Sequence, residues 1–599
     1  MTFRKLSEYF SQLEATTLRN KMVEILANLF QKAKSNEIGN LCYLLQGRVA
    51  PLFEAIEFGV ADKMVIRAVA LGLGVDATKV GKEFKKAGDL GTATEKLKVK
   101  SSLDKTRDKQ KLKEKAVSIL NVFDVLYKVA TSGGKGSQEE KIKLLGSLLR
   151  DVDSLSARYI VRITLAKLRL GFSDMTILDS LSWMLKGTKE LRPTIEKAYN
   201  VRPDLGYISE RIKENGIEGL THITPKVGTP ILMAKADRLK DAGEILEKIS
   251  KCAIEFKYDG LRLQVHRKKD FVKLFSRNLE DLTPMFPDIV DAVLKNVVSD
   301  EVILEGEVVA YNPKTGVSIA FQKTMQRRRI YDIEAKTVEI PVKLYAFELL
   351  YISGKNLIEK PYRERKAILK KIIRQDKVLN YATESIVDTE SEIERLFDAS
   401  VNLGFEGIIA KRLDGVYQAG MRGFNWIKFK RAMSQKLMDT FDVLVMGYTL
   451  GEGKRTNFGI GEFLTGVYDK KTDQFVTLAK IGTGLTDEQF RELKKRVKSL
   501  EVKNKPVSYN VDKLLEVDVW LKPSLVVEVS ADEITLSQVH SSGRVMGPSK
   551  SGKAEEVKVP GYSLRFPRLE RFRDDKRVGD VTTLSEIVSM FKAQGKAKT

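Results

Sequence analysis

The hydrophobic pattern changes period near residue 217, and that change limits what the chain can become. Upstream, apolar residues recur three and four apart. In MTFRKLSEYFSQLEATTLRN, Phe3, Leu6, Tyr9, Phe10 and Leu13 share one helical face. Downstream of THITPKVGTPILMAKADRL, period-two stretches such as EVILEGEVVAY and VKLYAFELLY alternate with helical ones such as SEIERLFDASVNLG. From about 432 onward come short strands and Gly-rich turns: TFDVLVMGYTLGEGKR, EFLTGVYDKKTDQFVTLAKIG and SLVVEVSADEITLS. One helical insert, TDEQFRELKKRVKSL, interrupts them.

A chain of 599 residues is too long for one core. The period changes predict an all-α region over 1–215, an α+β region over 216–430 and a small β-barrel of the OB type over 431–599. A final helix, TLSEIVSMFKAQ, precedes a basic tail expected to be disordered. The start of the chain lacks the apolar block of a signal peptide, and no apolar run is long enough to span a bilayer. A soluble intracellular protein without a membrane partner is expected.

Lys and Arg number 103 against 80 Asp and Glu, a net charge of +23, which favours a polyanionic partner, most often nucleic acid. Cys42 and Cys252 are the two cysteines, so neither a disulfide framework nor a four-thiolate zinc site can form. His222, His266 and His540 lie too far apart in sequence to suggest a histidine metal cluster. Catalysis is therefore expected from Lys, Arg and carboxylates.

The basic excess is uneven. KLKVKSSLDKTRDKQKLKEK, residues 96–115, holds nine basic and three acidic residues. SLSARYIVRITLAKLRLGFSD reads as a helix capped by Ser154 or Ser156 and stopped at Gly171, with Arg158, Arg162 and Arg169 along one face. Such stripes are usually solvated surface. Together the two segments suggest a helical region that tracks a phosphate backbone without reading bases.

Two phosphate-loop candidates fail on inspection. GPSKSGKA (547–554) carries Ala554 where Ser or Thr should meet magnesium, and GLGVDA (72–77) lies between helical segments. EFKYDGLRLQVHR (255–267) is more informative. Its alternation and Asp259-Gly260 predict a hairpin in which Lys257 faces Arg262, a repulsive pair that an anion would relieve. Other strands repeat the theme. WIKFK sets Trp426, Lys428 and Lys430 on one face, LEGEVV sets Glu305 and Glu307 on one face, FEGIIAK offers Glu406 and Lys411, and LFSRN ends a strand with Arg277. Cations for phosphates and carboxylates for a divalent metal are the parts of nucleotidyl transfer.

KYDGLR resembles the Lys-x-Asp-Gly signature of covalent lysine nucleotidyltransferases. SRN, LEGEVVAY, YAFELLY, EGIIAK and WIKFK follow in the order and spacing of ATP-dependent DNA ligases. SLRFPRLERFRDDK (563–576) resembles that family's last motif. ARYIVRITLAKLRLGFSD resembles the DNA-binding domain of its replicative archaeal and eukaryotic members, with the thermophilic archaeal branch the nearest in character.

The resemblance implies that Lys257 attacks the α-phosphate of ATP and carries AMP. It implies that Glu255 and Arg277 contact the nucleoside and that Phe347 stacks on adenine. Arg262, Arg422, Lys428 and Lys430 then meet phosphates, with Arg565 and Lys576 as further phosphate contacts. Glu307 is implied at the ribose or a divalent metal, with Glu406 a second ligand for Mg2+ or Mn2+. The implied partner is nicked duplex DNA, bound by a monomer in the cytoplasm, in an archaeal cell beside the nucleoid. For a sliding clamp, the best Gln-led box near 105–125 is QKLKEKAV, a poor match.

Three rival readings stay open on residues alone. An RNA ligase or capping guanylyltransferase shares the lysine core but generally lacks a helical N-terminal third. An NAD-dependent ligase needs a four-cysteine zinc module that two cysteines cannot build. A non-catalytic DNA-binding protein would have no use for an intact Lys257 and its partners.

Overall fold

Helical periodicity is realised from Phe3 to Asn215, and strand periodicity begins at Lys235. The computed structural model describes residues 1–107, 116–168, 170–314, 318–319, 324–327, 333–430, 440–451, 458–531, 533–548 and 555–593. They divide into two compact units, Met1–Arg431 and Ala432–Thr599.

The first helix, Phe3–Glu14, buries Phe3, Leu6, Tyr9, Phe10 and Leu13, the face its spacing predicts, and Thr2 caps it. The basic helix departs from expectation. It runs only over Ser154–Thr164, its cap is Asp153, and Ala166 at φ 54° turns the chain away from it. Arg169 lies outside the described residues, as do 108–115 of the basic run; the helix itself carries Arg158 and Arg162. The GLGVDA stretch is a helix-to-helix turn: Gly74 at φ 66° ends one helix and Asp76 caps the next.

The strands of the first unit are β1 (Lys235–Arg238), β2 (Cys252–Phe256), β3 (Leu261–Lys268), β4 (Phe271–Ser276), β5 (Glu301–Ala310), β6 (Val342–Ile352), β7 (Lys355–Asn356), β8 (Leu379–Tyr381), β9 (Glu384–Val387), β10 (Gly407–Arg412) and β11 (Arg422–Lys430). One sheet has the order β1-β11-β10-β2-β9. The other has β4-β3-β5-β6-β7, with β8 parallel to β6.

This overturns the predicted hairpin. β2 and β3 belong to different sheets, so residues 257–260 carry the chain across rather than back, and Lys257 does not face Arg262. The residue opposite Arg262 is Glu307 of β5. Gly260 is required for another reason than a turn: a Cβ there would sit 2.2 Å from the carbonyl oxygen of Val308. Asp-Gly signalled close approach to β5, and the pattern of a turn concealed it.

Side chains from both sheets meet in one cluster: Tyr258, Ile303, Phe347, Leu350, Tyr417 and Trp426. The helical region packs onto this half. Val201 joins that cluster, Phe53 is buried against Phe275 and Leu279, and the Leu232 amide donates to the Asn200 carbonyl over 2.8 Å.

The second unit is β-rich. Strands Phe441–Tyr448, Phe463–Asp469 and Gln474–Ile481 form its centre, and Val526–Ser530 pairs with both Phe441–Tyr448 and Arg568–Phe572. Glu533–Ser537 pairs with Gly561–Arg565. The helical insert forms over Asp487–Val497 behind a Thr486–Gln489 capping box. Val545–Pro548 pairs with Glu555–Val559, so Gly547 sits in a strand and not in a phosphate loop. Among the described residues, no helix is long and apolar enough to cross a membrane.

Candidate active site

Lys257 lies just past the end of β2, and backbone hydrogen bonds hold it there. Its amide donates to the Gly407 carbonyl over 2.8 Å, and its own carbonyl accepts from the Glu406 amide over 3.1 Å. The amine is thereby aimed at the start of β10, where Glu406 pairs with it. Lys430, at the end of β11, reaches the same Glu406 oxygen over 2.8 Å. The Asp259 carboxyl hydrogen-bonds Glu406, and burial together with that neighbour pushes its protonation upward.

Glu307 completes this polar end. It comes from β5, and its carboxyl makes no ion pair or hydrogen bond with a described residue. Burial pushes its carboxyl up to about 7, against the pull of Lys257 and Arg262. Lys428 sits two residues before Lys430, so both project from the same face of β11. Burial, then Lys430, Arg422, Lys257 and Arg238, lower its proton affinity. Such a cluster of cations supplies the field that an anionic phosphate chain needs.

Arg262 links this polar end to an aromatic one. Its Nη2 pairs with the fully buried Glu305 over 2.6 Å, and Nη1 donates to the Ala234 carbonyl over 2.7 Å. Glu305 is fixed in turn by Gln264 and the Tyr417 hydroxyl. The guanidinium centre lies 5.4 Å from the Phe347 ring centroid and 5.2 Å from that of Trp426. Phe347 and Trp426 meet edge to face at 5.9 Å. Lys411 stands behind them, 5.0 Å from Phe347 and 4.6 Å from Trp426, donating to the Phe347 carbonyl.

Glu255 sits two residues before Lys257 and is almost wholly buried. Lys366 and Tyr362 hold its Oε1, and Lys411 pairs with Oε2 over 2.6 Å. Sequence reading overlooked Lys366 and Tyr362, and noted Glu305 only as sharing a strand face with Glu307. The signal was available in PYRERKAILKK, where positions 362 and 366 share one helical face.

The remaining candidates are dispersed. Arg277 is exposed just after β4 and makes no ion pair with a described residue; Arg422 is exposed at the start of β11. Arg565 pairs with Glu533 over 2.6 Å and Lys576 with Asp442 over 2.8 Å, all within the second unit. Among the described residues no group of three His, Cys, Asp or Glu side chains is arranged to hold a metal.

The two described arginines of the basic helix are not bare phosphate ligands. Arg158 pairs with Glu14 and Glu95, and Arg162 with Glu14 and Asp89. Glu14 and Glu95 lie in two other helices and Asp89 just precedes the second of them, so the cations cross-link the helical region. Arg162→Ala is expected to cost about 1–3 kcal/mol of stability, with the salt dependence of DNA binding unchanged. Thermal melts beside a salt titration check this. A lost phosphate contact at unchanged stability would restore the DNA-facing role.

Comparison with known proteins now identifies the kind of molecule. Three family descriptions match consecutive parts of the chain: DNA ligase N terminus over residues 2–182, ATP dependent DNA ligase domain over 233–430 and ATP dependent DNA ligase C terminal region over 456–576. The probable DNA ligase of Dictyoglomus thermophilum is 44% identical over all of this chain and 99% of its own length. DNA ligase 2 of Thermofilum pendens is 39% identical over 100% and 98%. The DNA ligase of Sulfolobus acidocaldarius is 36% identical over 100% and 99%. The solved structure Pmar-Lig_PreS3, at 18% identity and a TM-score of 0.51 over 95% of this chain and 99% of its own, shares the fold. The protein is an enzyme that forms phosphodiester bonds. More narrowly, the chain belongs to the ATP-dependent DNA ligase family.

Proposed function

We propose that this ligase seals nicks in duplex DNA through a covalent AMP adduct on Lys257, in replication, repair and recombination. The observation that carries the proposal is the placement of the Lys257 amine between the Glu406, Asp259 and Glu307 carboxylates and the Lys428 and Lys430 cations. The first step forms a bond between Nζ and the α-phosphorus of ATP. It breaks the bond from that phosphorus to the bridging oxygen, and pyrophosphate leaves. The amine must shed its proton, and Glu406, already in contact with Nζ, is placed to take it.

Lys428, Lys430, Arg422 and Arg262 draw the phosphates in, and Phe347 forms the wall for adenine. AMP then passes to the 5′-phosphate of a nick, and attack by the 3′-hydroxyl seals the strand and expels AMP. Arg277, exposed and without an ion pair to a described residue, is assigned to the ribose or the nick phosphate. Detection of an adenylated-DNA intermediate in single-turnover sealing tests the sequence of steps. Sealing by AMP-free protein that proceeds without ATP would refute it.

The residues suit a divalent cation. Glu307 is a half-buried carboxylate with no ion pair to a described residue, close to Glu406, and magnesium is commonly held by one or two carboxylates plus substrate phosphates. When bound, the ion would neutralise charge on the phosphates. A carboxyl whose folded value lies above its unfolded value retains its proton longer in the folded state. Stability therefore falls as pH rises through the window from about 4.5 to about 7. In chelator-treated protein, Glu307→Gln should stabilise by roughly 1–3 kcal/mol at pH 8 and little at pH 4.5. Added magnesium should raise the wild-type melting temperature at pH 8 more than that of the variant. An equal gain at both pH values would remove Glu307 from this role.

A further inference from the structure

The ion pairs behind Lys257 are unbalanced in a way that points to a ligand. Glu255 is 3% exposed, and two buried lysines converge on its carboxylate: Lys366 on Oε1 and Lys411 on Oε2. One anion therefore serves two cations. The surrounding charges do not settle the difference. Arg365 is closed onto Glu348 by two 2.8 Å bonds, and Glu384 is taken by Lys370 at 2.7 Å.

The two oxygens of Glu255 differ in their remaining capacity. Oε1 is held by Lys366 and by the Tyr362 hydroxyl at 2.9 Å. That hydroxyl also lies 2.7 Å from Glu384, and its single hydrogen serves one carboxylate at a time. Lys366 itself is anchored by donating to the Ala382 carbonyl over 2.7 Å. Among the described residues Oε2 has one ionic partner, Lys411, which leaves it capacity to accept a second hydrogen bond. Lys411 in turn touches the Phe347 and Trp426 rings, so Oε2 belongs to the aromatic end of the site.

We propose that Lys366 is a positioning residue for purine selection: by fixing Oε1 of Glu255, it holds Oε2 as an acceptor for the exocyclic amine of adenine. This rests on the reading that the nucleoside lies against Phe347. Without Lys366, the orientation of Glu255 depends on a hydrogen shared with Glu384, and the carboxylate is free to turn wholly onto Lys411. The selective acceptor is then lost, although the cations that bind phosphates are untouched.

The probe is purine riboside triphosphate, which is ATP without its 6-amino group. The quantity read is the ratio of kcat/KM for self-adenylylation with ATP to that for adduct formation with the probe. Wild-type protein is expected to favour ATP by about 10- to 100-fold, the size of a lost hydrogen bond to a buried charged acceptor. Lys366→Met should reduce that ratio about fivefold or more, and Lys366→Arg should restore most of it. Lys366→Gln, which retains a donor in similar space, gives the same reading where the methionine variant does not fold.

A merely structural role would slow both nucleotides equally and leave the ratio unchanged, overturning the proposal. Equal use of the two nucleotides by wild-type protein would overturn it whatever the variants do. Formation of the wild-type adduct with ATP tests the underlying reading separately, and absence of any adduct would overturn both.

Discussion

Lys257→Ala is expected to abolish transfer of label from α-labelled ATP to the protein while leaving affinity for a nicked duplex nearly unchanged. The amine that forms the phosphoramidate is gone, and none of the surrounding lysines can replace it. Lys430 is held by Glu406, and Lys411 and Lys366 are buried on Glu255. Lys257→Arg should fail equally, because a guanidinium stays protonated and offers no free nitrogen lone pair. Sealing of a nick adenylated beforehand should survive in part, since that step no longer needs the nucleophile. Covalent label persisting at another lysine would contradict the assignment. Loss of DNA binding in step with labelling would mean the variant is misfolded, which a melt distinguishes.

The second large effect separates the steps of the reaction. Arg565→Ala with Lys576→Ala should lower self-adenylylation by about 10²-fold, the scale of losing charged groups that act on phosphates in the transition state. Sealing of pre-adenylated nicked DNA should fall only a few fold. The family resemblance implies that these cations act on the β- and γ-phosphates of ATP. Both are engaged at home by Glu533 and Asp442, so the phosphates must displace these carboxylates. Point substitutions are needed here. Removing residues 563–599 would strip Leu564, Leu569 and Ile587 from the core and take the strand Arg568–Phe572 off Val526–Ser530. An equal loss in both assays would make the cluster a DNA contact or a folding element.

Much of the fold was legible because its signals are local. The amphipathic face of Phe3–Glu14, the strands Glu301–Ala310 and Val342–Ile352, and the helix Asp487–Val497 all follow from spacing and caps within one segment. What was misread depends on residues far apart in sequence. Asp259-Gly260 carries a strong hairpin signal, yet the glycine serves to pass the Val308 carbonyl. Arg262 finds Glu305 forty-three positions away, and Arg162 finds Glu14 across 148. No periodicity reveals which carboxylate will neutralise a cation. For that reason spacing alone showed Arg158 and Arg162 as cations on one face and did not show that both tie helices together. The candidate site was legible in its membership more than in its pairing: Lys257, Glu307, Glu406, Lys428 and Lys430 converge, but the cation expected opposite Lys257 is a carboxylate.

The central claim is that Lys257 itself carries the nucleotide between ATP and DNA. The most direct measurement incubates the intact protein with ATP, removes free nucleotide, and maps the modified peptide by mass spectrometry before and after a chase with nicked duplex. AMP on Lys257 that disappears as the strand is sealed, with one AMP released per nick, is the predicted result. AMP on a different residue, or on Lys257 but unmoved by nicked DNA while sealing proceeds, would contradict it.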